Sequence, residues 1–190
     1  MNKTKQAPLY IIAGANGSGK TTFANKFSIQ NRLHFINADE IAKELDPANI
    51  TRHKIKAGKI FFERLGTSLV LGASFVIETT LSGKYLIKYI HQAKELGYKV
   101  TLIYLFLEEP TINIGRVYNR VLNGGHYVSK EDIIRRFFRS KKLFCELYKQ
   151  IVSSWSIYYN AGDVFEKIAD NRAVFDDEKY NMFKEHTKCQ

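Results

Sequence analysis

The feature that most constrains this chain is a glycine-rich segment between an apolar run and a helical pattern. Residues 14–21 read G-A-N-G-S-G-K-T, which matches G-x-x-x-x-G-K-[ST] in full. The apolar run 9–12 precedes it, and the pattern after it predicts a helix that opens at Thr21. A strand, this loop and a helix in that order are typical of the phosphate-binding loop, or P-loop. The fold must therefore bring the carboxyl end of a buried strand to a helix N-terminus.

Each residue type in this loop has a physical reason. The glycines let the backbone wrap closely and aim N–H groups at phosphate oxygens, and the helix N-terminus adds partial positive charge. We expect Lys20 to reach the β- and γ-phosphates and the Thr21 hydroxyl to hold Mg²⁺. The sequence thus predicts ATP and Mg²⁺ as cofactors. The predicted ATP-binding residues are Gly14, Ala15, Asn16, Gly17, Ser18, Gly19, Lys20, Thr21, Thr22 and Arg136.

Other nucleotide-binding classes fit the sequence poorly. The spacing of Gly14 and Gly17 does not match the dinucleotide pattern G-x-G-x-x-G. The chain has neither D-x-x-G nor N-K-x-D, which argues against a GTPase. A transporter-type ATPase would carry L-S-G-G-Q, whereas Leu81-Ser82-Gly83 is followed by Lys84.

Short apolar runs alternate with longer helical patterns along the chain, which predicts an α/β fold with a parallel sheet. The predicted class is a three-layer P-loop kinase-like domain with about five strands and a helical lid. We expect a single domain over residues 1–190, with the lid at about 110–140. The tail 163–190 is predicted to be less regular, with a hairpin around 170–172 and a short final helix. The predicted strands are Leu9–Ala13, His34–Asn37, Ser74–Ile77, Val100–Leu107 and Trp155–Tyr159.

The charge and the cysteine content limit which partners and which location we expect for this chain. The chain has 29 Lys and Arg against 19 Asp and Glu, and residues 1–60 and 111–150 hold the basic excess. Such blocks suit anionic partners. No apolar run is long enough to span a bilayer, so we expect no membrane contact. Cys145 and Cys189 lie far apart in no C-x-x-C pattern, which favours free thiols and a cytoplasmic location. Lys141 and Lys142 are expected at the surface.

Two acidic residues are placed to emerge at the carboxyl ends of predicted strands, where ligands of parallel sheets gather. Asp39 is suited to accept the proton of an acceptor hydroxyl, and it is equally suited to cap the helix that follows. Glu78, Thr79 and Thr80 suit a polar substrate or Mg²⁺-bound water; alternatively, they cap a helix that begins near Lys84.

The second basic block predicts a mobile lid. Arg116 and Arg120 are four residues apart and therefore share a helix face. A glycine-rich turn at 123–126 follows, and Arg135, Arg136 and Arg139 lie on the next helix. Some of these arginines are expected to close over a triphosphate and neutralise the transferring phosphoryl group. His126 is a candidate contact for phosphate or substrate, or a structural residue of the turn.

The order of these segments resembles the zeta toxin family, and most closely its compact branch of predicted ATPases or kinases. The matching runs include F-I-N-A-D, F-V-I-E-T-T-L-S-G and R-V-Y-N-R-V-L-N-G-G-H-Y-V, and the similarity spans about residues 8–160. The resemblance implies a P-loop kinase fold, ATP-dependent phosphorylation of a sugar hydroxyl of UDP-N-acetylglucosamine, and an antitoxin partner.

The resemblance assigns roles residue by residue. It implies that Lys20 is the P-loop lysine, that Asp39 is the catalytic aspartate, and that Arg116 or Arg120 is a lid arginine. Two positions depart from the family pattern: Ser82 stands where a substrate-binding arginine is expected, and His126 stands near a second lid arginine. Arg135 and Arg136 are candidates to replace that charge.

The sequence therefore predicts an ATP-dependent kinase of a small hydroxyl-bearing metabolite, with a nucleotide sugar as one possible acceptor. Asp39, Lys20, Arg116 and Arg120 are its candidate catalytic residues, and Glu78, Thr79, Thr80 and His126 its candidate substrate-binding residues. Two alternatives stay open. The basic charge suits a polynucleotide kinase or nucleic-acid-stimulated ATPase, although no interleaved aromatic and basic platform supports nucleic acid. The other alternative is a regulatory module that binds ATP and reports to a protein partner.

Overall fold

A six-stranded sheet organises the molecule in its computed structural model, which describes residues 6–47, 49–162, 164–185, 187 and 189. The strand order is β2-β3-β1-β4-β5-β6. The first five are parallel, and β6 runs antiparallel to β5. The P-loop strand β1 therefore lies at the centre, between β3 and β4. The strands are β1 (Pro8–Ala13), β2 (His34–Ile36), β3 (Phe75–Thr79), β4 (Lys99–Phe106), β5 (Ser154–Asn160) and β6 (Phe165–Asp170).

Helices cover both faces of the sheet. They are α1 (Lys20–Asn31), α2 (Ala38–Leu45), α3 (Lys54–Val70), α4 (Ile87–Glu95), α5 (Pro110–Leu122), α6 (Lys130–Leu143), α7 (Lys149–Ile151) and α8 (Asp177–Lys184). A 3₁₀ turn, Ile50–His53, precedes α3, and a π-helical segment, Phe144–Tyr148, joins α6 to α7.

The alternation of side chains in β1 divides the core into two layers, because successive residues of a strand point to opposite faces. Leu9 and Ile11 join the larger cluster, which includes apolar residues of α2, α3, α4 and α8. Ile12 joins a smaller cluster with Ala24 of α1 and Leu105 of β4. The predicted three-layer α/β fold is confirmed.

The sheet has six strands rather than about five. Residues 165–170 form β6 and pair with β5, and Ile168 and Ala169 are fully buried. The charged pair Glu166 and Lys167 interrupts the apolar pattern of this short strand, which concealed it. Beyond β6, the Asp170 carboxylate accepts backbone N–H bonds from Arg172 and Ala173 and closes the turn expected at 170–172.

The final helix returns to the core and corrects the expectation of free cysteines. Phe183 of α8 is fully buried and makes edge contacts with Tyr104, Phe106 and Phe144. This packing brings the end of the chain back to the segment after α6, where Cys145 and Cys189 form a disulfide. The prediction of unpaired thiols was wrong because a separation of 44 residues along the chain gave no sign of this proximity.

Lys141 was expected at the surface, but the structure buries it. Its side chain is 1% exposed, and the Nζ atom lies over the rings of Phe137, Phe106 and Phe183 at 4.5, 5.4 and 5.6 Å from their centres. The ammonium group donates to the Met182 carbonyl at 3.4 Å. Lys142 remains exposed, as predicted.

Within the described part of the chain, no helix combines the length and the apolar character that crossing a membrane requires.

Candidate active site

A cleft of about 630 Å³ opens where β1, β2 and β3 end and the P-loop begins. Its walls come from the P-loop, the start of α2, the end of β3, α3, α5 and the segment around β5 and β6. The lining includes Asn16, Gly17, Gly19, Lys20, Thr21, Thr22, Lys26, Asn37, Asp39, Phe61, Phe62, Glu78, Thr79, Thr80, Arg116, Arg120, Asn160, Gly162 and Phe165.

Close packing explains two of the P-loop glycines. Gly14 has φ +142°, and a Cβ atom there would lie 2.1 Å from the Leu105 carbonyl oxygen. Gly19 has φ +89°, and a Cβ atom there would lie 2.3 Å from the Asn160 amide nitrogen. Both positions combine a backbone conformation that favours glycine with the absence of space for a side chain. The glycines thus let the P-loop pack closely against β4 and Asn160.

A buried carboxylate organises the floor of the cleft. Glu78, at the end of β3, accepts a hydrogen bond from the Thr21 hydroxyl at 3.1 Å and lies 4.0 Å from the Lys20 ammonium group. Its other oxygen accepts from the Asn37 amide at 2.7 Å. Lys20 itself donates to the Ala15 carbonyl at 2.7 Å. Glu78 therefore links the two P-loop residues expected to bind phosphate and metal, and it does not cap α4, which begins only at Ile87.

Burial opposes charge on both members of this pair. Burial lowers the pKa of Lys20, and the charges of Glu78 and Asp39 counteract that effect. Burial likewise raises the pKa of Glu78, against the nearby Lys20 charge and the Thr21 hydrogen bond. An anionic triphosphate beside Lys20 would favour its charged form. The site is thus electrostatically suited to a ligand that brings negative charge.

Asp39 lies in the first turn of α2 with an exposed side chain that lines the cleft. The cap of this helix is Asn37, whose side-chain oxygen accepts from the Asp39 backbone N–H at 2.7 Å. The capping role considered for Asp39 therefore belongs to Asn37, and the Asp39 carboxylate is left facing the cleft.

The predicted lid consists of α5, α6 and their connecting turn, and it contacts the P-loop directly. The Asn113 amide of α5 donates to the Asn16 carbonyl at 2.6 Å. Arg136 of α6 donates to the Asn16 side-chain oxygen at 3.0 Å. Both helices are therefore attached to the same P-loop residue.

The lid arginines divide into two groups. Arg116 and Arg120 line the cleft; Arg116 donates to the Asn160 carbonyl at 3.4 Å and Arg120 to the His126 carbonyl at 2.9 Å. Arg135 instead pairs with Asp132 at 2.7 Å on an exposed face. His126 is half-buried beside Arg120 and is not among the described residues that line the cleft.

The remaining predicted residues lie at or beside the cleft. Thr22, Thr79 and Thr80 line it, whereas Gly14, Ala15 and Ser18 form the underside of the loop. The Thr79 hydroxyl accepts from the Leu81 N–H at 3.0 Å, and the Thr80 hydroxyl bonds the Ser82 hydroxyl at 2.9 Å.

The donor set at the cleft fits ATP and Mg²⁺. The cleft beside the P-loop has a volume of about 630 Å³, and the Thr21 hydroxyl and Glu78 carboxylate are oxygen ligands of the kind Mg²⁺ takes directly or through water. No cluster of three or more His, Cys, Asp and Glu occurs among the described residues.

The family of this chain follows from its similarity to known proteins. Residues 1–173 match the model of the zeta toxin family. The chain belongs to this family. An uncharacterized protein of Haemophilus influenzae is similar to this zeta toxin family member, with 35% identity over 125 residues, which cover 66% of this chain and 88% of the other.

Two solved structures share the fold of this family member. A chain from the PezAT chromosomal toxin–antitoxin system of Streptococcus pneumoniae aligns with a TM-score of 0.69 and 19% identity, over 97% of this chain and 79% of that one. The AvrRxo1-ORF1:ORF2 structure with ATP aligns with a TM-score of 0.72 and 18% identity, over 95% of this chain and 64% of that one.

Three asparagines at the site were not predicted from the sequence. Asn37 connects Glu78 to α2, and Asn113 holds the P-loop from α5. Asn160, 3% exposed, donates to the Ser18 carbonyl at 3.0 Å and accepts from the Gly162 N–H. The position of Asn37 just before a predicted helix was an available signal, because Asn is a preferred N-cap. The other two act through contacts distant in sequence.

Proposed function

We propose that this protein is an ATP-dependent kinase that transfers the γ-phosphoryl group to a hydroxyl of a small metabolite. The observation that carries the proposal is the single cleft that holds both the P-loop lysine, Lys20, and an exposed carboxylate, Asp39. An ATPase needs the first group only. A kinase also needs a group that orients an acceptor hydroxyl and takes its proton.

Each residue has a defined part in this reaction. The P-loop N–H groups and Lys20 bind the phosphate chain. Asp39 accepts the proton of the acceptor hydroxyl while the oxygen of that hydroxyl forms a bond to the γ-phosphorus and the bond between the γ-phosphorus and ADP breaks. Arg116 and Arg120 offset the negative charge on the transferring group. Thr21 and Glu78 would hold Mg²⁺, which neutralises charge on the β- and γ-phosphates when bound.

The acceptor side of the cleft suits a polar metabolite. Thr79 and Thr80 present hydroxyls beside Glu78, and UDP-N-acetylglucosamine is the acceptor that the family resemblance implies. The PezAT structure comes from a toxin–antitoxin system, which supports an antitoxin as the protein partner of this chain. A cytoplasmic location accords with a metabolite kinase, but the Cys145–Cys189 disulfide removes the support that free thiols would have given it.

The test separates binding from transfer. Asp39→Asn should retain ATP affinity within about threefold, because it removes charge without changing shape, and should lower phosphoryl transfer about 10²- to 10⁴-fold. Lys20→Met should weaken ATP binding itself. Calorimetry measures ATP affinity, and mass spectrometry measures the product across nucleotide sugars, nucleotides and short oligonucleotides.

Glu44→Gln is the matched control, because Glu44 lies on the same helix, α2, but pairs with Arg64 outside the cleft. Glu44→Gln should leave both the ATP affinity and the phosphoryl transfer unchanged. Undiminished transfer by Asp39→Asn would exclude Asp39 as the base. Transfer to oligonucleotides alone would instead make this a polynucleotide kinase. Tight ATP binding without any transfer would make it a regulatory module.

A further inference from the structure

The Cys145–Cys189 disulfide lies outside the cleft, and no step of the proposed reaction uses it. Cys145 belongs to the π-helical segment Phe144–Tyr148, and Cys189 follows α8. Single turns of π-helix are frequent at functional sites. None of the described residues that line the cleft comes from this segment. The segment and its disulfide are therefore candidates for a function of their own.

The two sulfur atoms have different surroundings. Cys145 is 2% exposed, whereas Cys189 is only half-buried. The Lys149 ammonium group lies 3.9 Å from the Cys189 Sγ atom. The Cys145 Sγ atom instead lies 3.8 Å from the Thr187 hydroxyl, which donates to the Lys184 carbonyl at 2.7 Å. A positive charge therefore lies beside the more accessible of the two sulfurs.

This difference gives the two thiols of the open form separate roles. A neighbouring ammonium group stabilises a thiolate, and the thiolate is the reactive form of cysteine. Cys189 is thus suited to react with an incoming disulfide. Cys145, which is shielded from solvent and bonded to Cys189 in the closed form, is placed to resolve the product. An accessible, charge-stabilised thiol beside a resolving thiol is typical of redox-sensing pairs.

The packing of α8 keeps the two thiols together when the bond is open. Phe183 of α8 is fully buried and contacts the rings of Tyr104 and Phe144 edge-on. Phe144 directly precedes Cys145 in the chain. Because these contacts do not depend on the disulfide, α8 should stay beside the π-helical segment after reduction. Thiols held together in this way re-form their bond in an intramolecular step, which a high effective concentration favours.

A reversible bond also agrees with the proposed location. Permanent disulfides are rare in the cytoplasm, where protein disulfides are usually transient and catalytic or redox-sensing. The structure nevertheless contains a disulfide between Cys145 and Cys189. A cytoplasmic location and this disulfide are compatible if the bond opens and closes.

We propose that Cys145 and Cys189 form a reversible thiol–disulfide site, which exchanges with small disulfides and dithiols through the sulfur of Cys189. In the closing reaction, the Cys189 thiolate attacks one sulfur of a small disulfide, so that a mixed disulfide forms and one small thiolate leaves. The Cys145 thiolate then attacks the Cys189 sulfur and releases the second small thiolate. The two protons lost by the protein thiols pass to these thiolates. Two protein thiols are thereby oxidised as one small disulfide is reduced.

The opening reaction proceeds through the same sulfur. One thiolate of a dithiol attacks the Cys189 sulfur, because that sulfur is the more accessible, and Cys145 leaves and takes up a proton. The second thiol of the reductant then displaces Cys189, which yields a second protein thiol and a cyclic disulfide of the reductant. This inference does not depend on the proposed kinase function, since neither cysteine lines the cleft.

The first test follows the thiols of the full chain in mixtures of reduced and oxidised glutathione, with dithiothreitol as the dithiol. Free thiols are alkylated after each incubation and counted by mass spectrometry, which also detects glutathione attached to a cysteine. We expect the bond to open and close reversibly across these mixtures, whereas a permanent structural disulfide resists reduction by glutathione. A bond that stays closed in every glutathione mixture would overturn the proposal.

Two variants identify the reactive thiol. Cys145→Ser retains only Cys189, and Cys189→Ser retains only Cys145. Oxidised glutathione should attach to Cys189 at least about tenfold faster than to Cys145. Equal rates, or faster attachment to Cys145, would overturn the assignment of Cys189 as the reactive thiol.

A lysine substitution tests the same assignment with both cysteines in place. Lys149→Met should slow closure of the reduced chain by oxidised glutathione about three- to tenfold, because it removes the charge beside Cys189. Lys142→Met is the matched control, since Lys142 is exposed and pairs with Glu146 at 3.9 Å, and it should leave the closure rate unchanged. Equal effects of the two substitutions would overturn the assignment. None of these measurements involves ATP, so their failure is distinguishable from failure of the kinase function.

Discussion

Replacement of the buried lysine Lys141 by methionine should stabilise the protein at neutral pH. Lys141 lies among three phenylalanine rings, and its ammonium group has one long hydrogen bond, 3.4 Å, to a backbone carbonyl. Burial lowers the pKa of this side chain to about 8, and the more distant Glu185 charge only partly offsets the effect. Methionine has similar length and no charge, so it should fill the same space.

The magnitude follows from the pKa difference. The ordinary pKa of 10.5 and the folded value of about 8 correspond to about 3 kcal/mol against the charged form. Favourable contacts between the ammonium group and the ring faces offset about 0.5–2 kcal/mol of this cost. Lys141→Met should therefore raise the free energy of unfolding by about 1–3 kcal/mol at pH 7.

The pH dependence has a defined sign. Because the folded pKa lies below the unfolded one, the unfolded chain binds more protons between about pH 8 and 10.5, and this group adds stability as the pH rises through that window. Its destabilising effect is fully present below about pH 8 and absent above about 10.5. The advantage of Lys141→Met should accordingly shrink toward pH 10.

Chemical denaturation of both proteins at pH 7 and pH 10 measures this difference. Lys142→Met is the control, because Lys142 is exposed and pairs with Glu146 at 3.9 Å. It should change stability by less than about 0.5 kcal/mol at either pH. A Lys141→Met variant less stable than the parent at pH 7, or an advantage unchanged at pH 10, would refute the reasoning.

Three further substitutions test other parts of the structure. Gly19→Ala should weaken ATP binding at least about tenfold, because the new methyl group would lie 2.3 Å from the buried Asn160 amide. Gly97→Ala is the control, because Gly97 is also left-handed but has open space around it, and it should leave the ATP affinity measured by calorimetry unchanged. Asn37→Ala should cost about 2 kcal/mol in denaturant unfolding, since it removes the cap of α2 and a partner of Glu78, and a loss below about 0.5 kcal/mol would contradict that role. Cys145→Ser should cost about 4 kcal/mol through loss of a disulfide across 44 residues, and a reductant should destabilise only the parent.

Local pattern and motif were enough to predict the P-loop and its place between a central strand and a helix. The P-loop is contiguous, so its residues carry their own spacing, and each of the strands β1 to β5 contains a short apolar run. The helices α5 and α6 were also predictable, because the arginine spacing and the glycine turn are local, whereas their role as a lid remains a prediction. The roles of Lys20, Asp39 and the arginines remain predictions, although the structure gathers these side chains in one cleft.

Contacts between distant segments account for what the sequence did not predict. The burial of Lys141, the disulfide of Cys145 and the P-loop contacts of Asn113 and Asn160 all depend on how α5, α6, the end of β5 and the tail pack together. None of these residues has a neighbour in sequence that signals its partner.

The destination of the γ-phosphate of ATP is the most direct test of the proposed kinase function. The full chain would be incubated with γ-labelled ATP, Mg²⁺ and a small-molecule extract, and the label followed by mass spectrometry in the wild-type protein and in Asp39→Asn. A kinase should place the label in an organic phosphate ester with wild type and produce almost none with Asp39→Asn. Label found only in inorganic phosphate, equally with both proteins, would contradict it.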